Sequence, residues 1–195
     1  MFTGIIEKTG TVKEVFSRDG NKTFWISSPL SSCLKTDQSL SHNGVCLTVE
    51  ETREDMHRVT AIRETLLKSN LDNWEAGTLV NLEKCMLLHS RFDGHIVQGH
   101  VDCTAECTQA RSNEGSHEFR FSFDPVYKNL VVEKGSICLN GISLTIFNIS
   151  LNEFTVAIIP YTYENTNMNR IKKGHKANVE FDLIGKYINR IHSLK

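Results

Sequence analysis

The stretch Asn43-Gly44-Val45-Cys46-Leu47-Thr48-Val49 is written a second time, 97 positions downstream, as Asn140-Gly141-Ile142-Ser143-Leu144-Thr145-Ile146. At the same shift Val59, Ile62, Thr65 and Asn70 fall on Val156, Ile159, Thr162 and Asn167. Gly77, Asn81 and Glu83 fall on Gly174, Asn178 and Glu180, and Ser39 meets Ser136. A shift of 95 aligns Gly4-Ile5-Ile6-Glu7 with Gly99-His100-Val101-Asp102, so the second copy has a net two-residue insertion between its first strand and Ser136. Matches kept at one shift and in one order mark a duplicated structural unit.

Each copy reads as strands. Thr9 to Val15 and Phe119 to Phe123 alternate with period two, the signature of a half-buried strand. Val45 to Val49 is nearly continuous in apolar character, as expected of a strand buried on both sides. Asn-Gly precedes it in both copies, a strong turn signal because both residues tolerate positive φ. Many short strands with closely spaced turns suggest a small barrel or sandwich per copy, and a barrel leaves no free sheet edge. Two segments break the pattern. Pro125-Val126-Tyr127-Lys128-Asn129-Leu130 predicts a short helix, with Pro29 to Leu34 as its counterpart. In the tail Leu183, Ile184, Tyr187, Ile188, Ile191 and Leu194 recur at helical steps, one apolar face. That face must bury itself on its own barrel or in self-association.

The 195 residues carry 22 Lys and Arg against 23 Asp and Glu, a net charge of −1, which argues against nucleic acid as a partner. Apolar residues make up 39%, yet none of the runs reaches the roughly 18 to 20 residues of a membrane helix, so no membrane is expected. The opening residues lack a basic segment followed by an apolar stretch, so no signal peptide is expected. The six cysteines are then expected as free thiols of a cytoplasmic protein.

No Gly-rich phosphate loop or dinucleotide fingerprint is present, which argues against a strongly phosphorylated ligand. His100, Cys103 and Cys107 cluster in sequence, but on a strand His100 would point away from the two cysteines. With no Cys-x-x-Cys spacing, buried structural thiols are the reading and no metal is expected. Between the copies lies Gly94-His95-Ile96-Val97-Gln98-Gly99-His100-Val101. Its glycines permit close approach, and each His is either structural or a proton carrier near neutral pH. Alternation places Cys46 with Thr48, and Ser143 with Thr145, on equivalent faces. Such polar atoms on an apolar strand suit the edge of a flat heterocycle, and two equivalent pockets would hold two similar molecules.

Together Met1-Phe2-Thr3-Gly4-Ile5-Ile6-Glu7, Asn43 to Val49, Gly94 to Val101 and Asn140 to Thr145 resemble the riboflavin synthase family, the trimeric lumazine-binding tandem-barrel type. The resemblance runs to about Asp182. It implies an all-β fold: two tandem six-stranded Greek-key barrels related by a pseudo-twofold axis (residues 1–96 and 97–182), then a C-terminal helix (183–195) that assembles a homotrimer. It implies dismutation of two 6,7-dimethyl-8-ribityllumazine molecules, one giving a four-carbon unit to the other, to yield riboflavin and 5-amino-6-ribitylaminouracil. Neither cofactor nor metal is implied, and lumazine synthase is a candidate partner. The reacting pair would lie between the first barrel of one subunit and the second of its neighbour.

By the same resemblance the first copy's pocket would comprise Gly4, Ile5, Ile6, Cys46, Leu47, Thr48, Thr60, Ala61, Ile62, Arg63, Glu64 and Thr65. The second's would comprise Gly99, His100, Val101, Lys134, Ser143, Leu144, Thr145, Ile159, Pro160, Tyr161, Thr162, Tyr163 and Glu164. His100 is implied as the proton carrier, with Ser39 and Cys46 as polar or nucleophilic neighbours, while His95 holds the junction. Two positions depart from relatives: Asn140, where some carry Asp, and Tyr161, where some carry Glu as this chain does at Glu64. Lumazine-binding fluorescent proteins share the fold without catalysis. The retention of Ser39, Cys46 and His100 favours an enzyme over such a binder or a purely structural barrel.

Overall fold

The computed structural model describes residues 1–194 and gives the two copies the same order of main strands and helices. The first contains β1 (Lys8–Arg18), β2 (Asn21–Ser27), β3 (Ser39–His42), β4 (Val45–Thr48), β5 (Glu51–Arg53), β6 (Met56–Ala61), α1 (Arg63–Lys68) and β7 (Leu79–Lys84). The second contains β8 (Cys103–Asn113), β9 (Ser116–Ser122), β10 (Ser136–Leu139), β11 (Ile142–Phe147), β12 (Glu153–Ile158), α2 (Pro160–Asn165) and β13 (Lys176–Phe181), and α3 (Leu183–His192) follows. Asn43-Gly44 and Asn140-Gly141 all take positive φ, the backbone of the two-residue hairpin turns that join β3 to β4 and β10 to β11. Pro125–Leu130 is a 3-10 helix capped by Asp124, whose carboxylate accepts the Val126 amide, and Ser31–Cys33 is its counterpart. The helices α1 and α2 were not expected. At six residues each they are too short to print a periodic apolar stripe.

The second copy closes into a six-stranded barrel in the order β10-β11-β12-β9-β8-β13, with the crossing connections of a Greek key. The first is an open seven-stranded sheet, β4-β3-β7-β1-β2-β6-β5. The difference sits at one seam. β11 runs on to Phe147 and pairs with β12, whereas β4 stops at Thr48 and β5 folds back on β6. There the Glu50 amide donates to the Arg58 carbonyl at 2.9 Å. The first barrel is thus half-open where full closure was expected.

Each barrel has its own core, Val12, Phe24, Ile26, Leu40, Val59, Leu71 and Leu82 among others in the first, Phe121, Ile137, Leu139, Phe154, Val156 and Phe181 in the second. Burying one such side chain is worth about 1.5–3 kcal/mol. β4 is not buried on both sides: Val45 and Leu47 are buried, Cys46 is half-buried and Thr48 exposed. One face of this strand is therefore available.

Six asparagines join the barrels about the pseudo-twofold, paired as the repeat pairs them. The Asn81 side-chain amide donates to the Asn140 carbonyl, and that of Asn178 to the Asn43 carbonyl, both at 2.9 Å. The Asn167 amide donates to Asn81 Oδ1 at 2.7 Å, and the Asn70 amide to Asn178 Oδ1 at 2.6 Å. Gly44 and Gly141 meet on the axis, where a Cβ on Gly44 would come within 2.8 Å of the Gly141 nitrogen. Asn140 is 1% exposed and is committed to this network. Asn140 thus belongs to the joint between the barrels.

In α3, which is capped by Asp182, Ile184, Tyr187, Ile188 and Ile191 stay exposed, as does Leu194 just beyond it. Within the single chain the stripe is therefore largely uncovered, although Ile184 and Ile188 border a cleft shared with Leu130 and Val132. Lys195, the last residue of the expected tail, lies outside the described residues. No helix among them is long and apolar enough to cross a membrane.

Candidate active site

The segments preceding β1 and β8 are arms that leave their own barrels. They pair with each other at Phe2 and Val97, the Phe2 amide donating to the Val97 carbonyl at 2.8 Å and the reverse bond measuring 3.1 Å. Beyond that bridge they cross. The Ser143 amide of the second barrel donates to the Gly4 carbonyl at 2.8 Å, and the Cys46 amide of the first donates to the Gly99 carbonyl at 2.8 Å. Ile6 packs on the second core and Val101 on the first.

This overturns the grouping of pocket residues by copy. Gly4, Ile5 and Ile6 belong with Ser143, and Gly99, His100 and Val101 belong with Cys46. The repeat makes Gly4 and Gly99 equivalent, but it does not say which barrel each arm packs on. Both glycines are required where they stand. Their φ values are +80° and +82°, and a Cβ would fall 2.7 Å from Ser143 Cβ or 2.5 Å from Cys46 Cβ.

At the second barrel a cavity of about 450 Å³ opens between arm, strand and helix, lined by Gly4, Ile5, Ile6, Ser143, Tyr161, Thr162 and Glu164, with Leu79 and Asn169 as unforeseen neighbours. That volume suits a small heterocyclic ligand. α2 places Tyr161, 73% exposed, where α1 places Glu64. Leu144 packs on the second core, Thr145 is exposed on the cavity-side face of β11, and Ile159, Pro160 and Tyr163 flank the start of α2. Tyr163 stacks on His117 with centroids 3.6 Å apart. Lys134 lies away from this cavity, its ammonium 5.5 Å from the Phe147 ring.

At the first barrel Cys46 and Thr48 share the open face of β4, and β3 brings Ser39 opposite Thr48. His100 follows Gly99 and is exposed. Thus Ser39 and Cys46 come together, and the arm carrying His100 is tied to Cys46 through the Gly99 carbonyl. Leu47 and Ala61 instead point into the core, at 6% and 0% exposure, because strand alternation sends them to the other face. The Thr60 hydroxyl is bonded to that of Thr23 at 2.9 Å. Ile62, Arg63, Glu64 and Thr65 lead into and begin α1. Burial pushes the Cys46 thiol up, with a smaller downward pull from the Ser39 hydroxyl, so the resting group is a thiol. Burial likewise drives Cys103 up to about 12. These two and the other cysteines are free.

His95, expected to hold the junction, places Nδ1 2.6 Å from Ser143 Oγ, and its amide donates to the Thr3 carbonyl. Burial lowers its pKa, and the Asp182 charge opposes that. Among the described residues no His, Cys, Asp or Glu cluster could hold a metal ion.

Residues 3–85 and 98–182 each match the family described as the lumazine binding domain. The chain is 37% identical to the riboflavin synthase of Bacillus subtilis (strain 168) over 191 residues, which cover 97% of this chain and 89% of that one. It is 39% identical to the riboflavin synthase of Saccharomyces cerevisiae over 203 residues, covering 97% and 85%. Its fold superposes on a crystal structure of LumP complexed with riboflavin at a TM-score of 0.88, with 21% identity, covering 93% of this chain and 99% of that one.

Proposed function

Since this chain belongs to the lumazine-binding family, the family of the riboflavin synthases, we propose that it is a riboflavin synthase. It converts two molecules of 6,7-dimethyl-8-ribityllumazine into riboflavin and 5-amino-6-ribitylaminouracil by transfer of a four-carbon unit. The observation that carries this reading is the crossing of the arms. Two equivalent strand faces, each finished by the other copy's arm, are what a reaction between two identical molecules needs. Between them the two lumazines contain every atom of both products, so no oxidant or added cofactor enters the balance.

Holding two reactants in register can supply roughly 7–11 kcal/mol of a barrier. The rest is proton transfer, beginning with removal of a proton from the acidified 7-methyl group of one lumazine. We assign that role to His100, exposed beside the open face of the first barrel, with Cys46 and Ser39 as its polar neighbours. Burial keeps Cys46 a thiol, so attack by its sulfur would follow proton removal by a neighbour such as His100. In the second pocket Ser143, Thr162 and Glu164 offer hydrogen bonds, and Tyr161 in place of a carboxylate gives the two pockets different grips.

Residues 1–96 and 97–182 are assigned as the two lumazine-binding units and 183–195 as an assembly helix that builds a homotrimer. In that trimer the first barrel of one subunit faces the second of the next. The reaction is placed in the cytoplasm, whose reducing conditions suit free thiols, with lumazine synthase as a partner through the shared intermediate. Incubation of the purified protein with the lumazine alone is the test. Yellow riboflavin, formed with one uracil product per molecule, is the expected result. Tight binding without turnover would leave a lumazine-binding module in place of an enzyme.

A further inference from the structure

Glu83 on β7 and Glu180 on β13 are equivalent in the repeat, and they are 4% and 2% exposed. A carboxylate so deeply buried needs several hydrogen bonds or a counter-ion. Among the described residues neither makes a salt bridge; each accepts from an arm instead. Glu83 accepts the Thr3 amide at 2.7 Å, the Thr3 hydroxyl at 3.0 Å and the Gly4 amide at 3.0 Å. Glu180 accepts the amides of Gln98, Gly99 and His100 at 2.7, 2.9 and 3.0 Å. Successive amides converging on one anion, with a positive-φ glycine among them, form an anion-holding backbone nest. Here the protein's own carboxylate fills it.

The same glycine is gripped from both sides. Gly99 gives its amide to Glu180 and accepts the Cys46 amide, while Gly4 gives its amide to Glu83 and accepts the Ser143 amide. Glu180, a residue of the second barrel, therefore stands one bonded step from His100 and two from Cys46, at the first barrel's pocket. Glu83, a residue of the first barrel, stands in the same relation to Ser143 and the cavity of the second.

We propose that Glu83 and Glu180 are positioning residues that act crosswise, each belonging to one barrel and setting the arm that completes the pocket of the other. The pocket part of this statement rests on the lumazine reading; the clasping of the arms does not. Gln keeps the volume of Glu but turns an amide donor toward a cluster of donors, so Glu→Gln breaks the clasp without opening a cavity.

Hydrogen–deuterium exchange reads the clasp directly on the full-length protein. In Glu180→Gln the peptide carrying Gly99 to Val101 and the Cys46 amide should exchange roughly ten- to a hundredfold faster, with Gly4 to Ile6 unchanged. Glu83→Gln should give the mirror result. Riboflavin titrated into each variant should weaken at one of two sites, a different site in each, and Glu180→Asp should recover part of the loss. If Glu180→Gln fails to fold, Glu180→Asp is read by the same exchange pattern. Either substitution loosening both arms equally, or lowering turnover with arm exchange unchanged, would overturn the proposal. If the wild type binds no riboflavin or lumazine, the lumazine reading falls while the exchange pattern still decides the clasp.

Discussion

The Cys46 amide donates to the carbonyl oxygen of Gly99 at 2.8 Å, so a residue of the second copy finishes the pocket edge of the first. The contact spans 53 residues of sequence and has its mirror in Ser143 and Gly4. It ties the two barrels together: the edge of each open strand is bonded to the other copy's arm.

Gly99→Ala tests that dependence. The new Cβ would meet Cys46 Cβ at 2.5 Å, at a φ of +82°. Left-handed backbone alone costs an L-residue about 1–2 kcal/mol, and the overlap forces the arm off β4. A loss of about 3 kcal/mol in urea unfolding is expected, with turnover down at least about tenfold. Gly115→Ala is the control, since Gly115 has φ +80° but nothing within 4 Å. It should cost about 1 kcal/mol and leave turnover unchanged.

His100→Ala removes an exposed side chain, so the melting temperature should stay within a degree or two of wild type, as exposed substitutions usually do. Turnover of the lumazine should fall by about 10²–10⁴, the span that a positioned proton carrier contributes. Unchanged turnover would remove His100 from the chemistry.

The repeat announced the architecture, the asparagine pairs and the equivalence of Glu83 with Glu180. It could not announce what those residues touch. Equivalence under a shift is a statement about copies, whereas the Gly4–Ser143 contact is a statement between copies, and both a crossed and an uncrossed arm fit the same sequence. Cys46 and Thr48 were legible because alternation places them on one face; by the same rule Leu47 falls in the core. The buried pair His42 and His57 left no trace in the sequence, because the residues lie on separate strands and meet only through the packing of the sheet.

That pair makes a prediction about acid. His42 Nε2 and His57 Nε2 are 2.9 Å apart and His57 Nδ1 is 2.8 Å from Ser31 Oγ, in a core where both rings are fully buried. Burial lowers His57 from 6.5 to about 4, and burial together with His57 holds His42 well below its usual value. The native state then binds fewer protons than the unfolded chain between these values, so stability rises with pH across that window. The contribution is complete above about 6.5 and is lost as the pH falls toward about 4. Urea unfolding at several pH values should show the loss, and His57→Gln should flatten it. An unaltered slope in that variant would assign the acid sensitivity elsewhere.

Deletion from Leu183 onward tests the assembly. α3 has no buried residue and exposes Ile184, Tyr187, Ile188 and Ile191 at 52–66%, a stripe that another copy of α3 can cover. Its tie to the second barrel includes the ion pair of Lys186 with Asp102 at 2.6 Å, worth about 1 kcal/mol or less when partly exposed. The truncated chain should therefore keep its barrels and nearly its melting temperature. If the proposed trimer is built by this helix, sedimentation should show monomer in its place, and turnover should collapse while single-ligand binding persists, because that proposal puts the reacting lumazines on different subunits. Ile188→Asp should do the same without shortening the chain. A trimer that survives both changes would move the assembly contact off this helix and onto the barrels themselves.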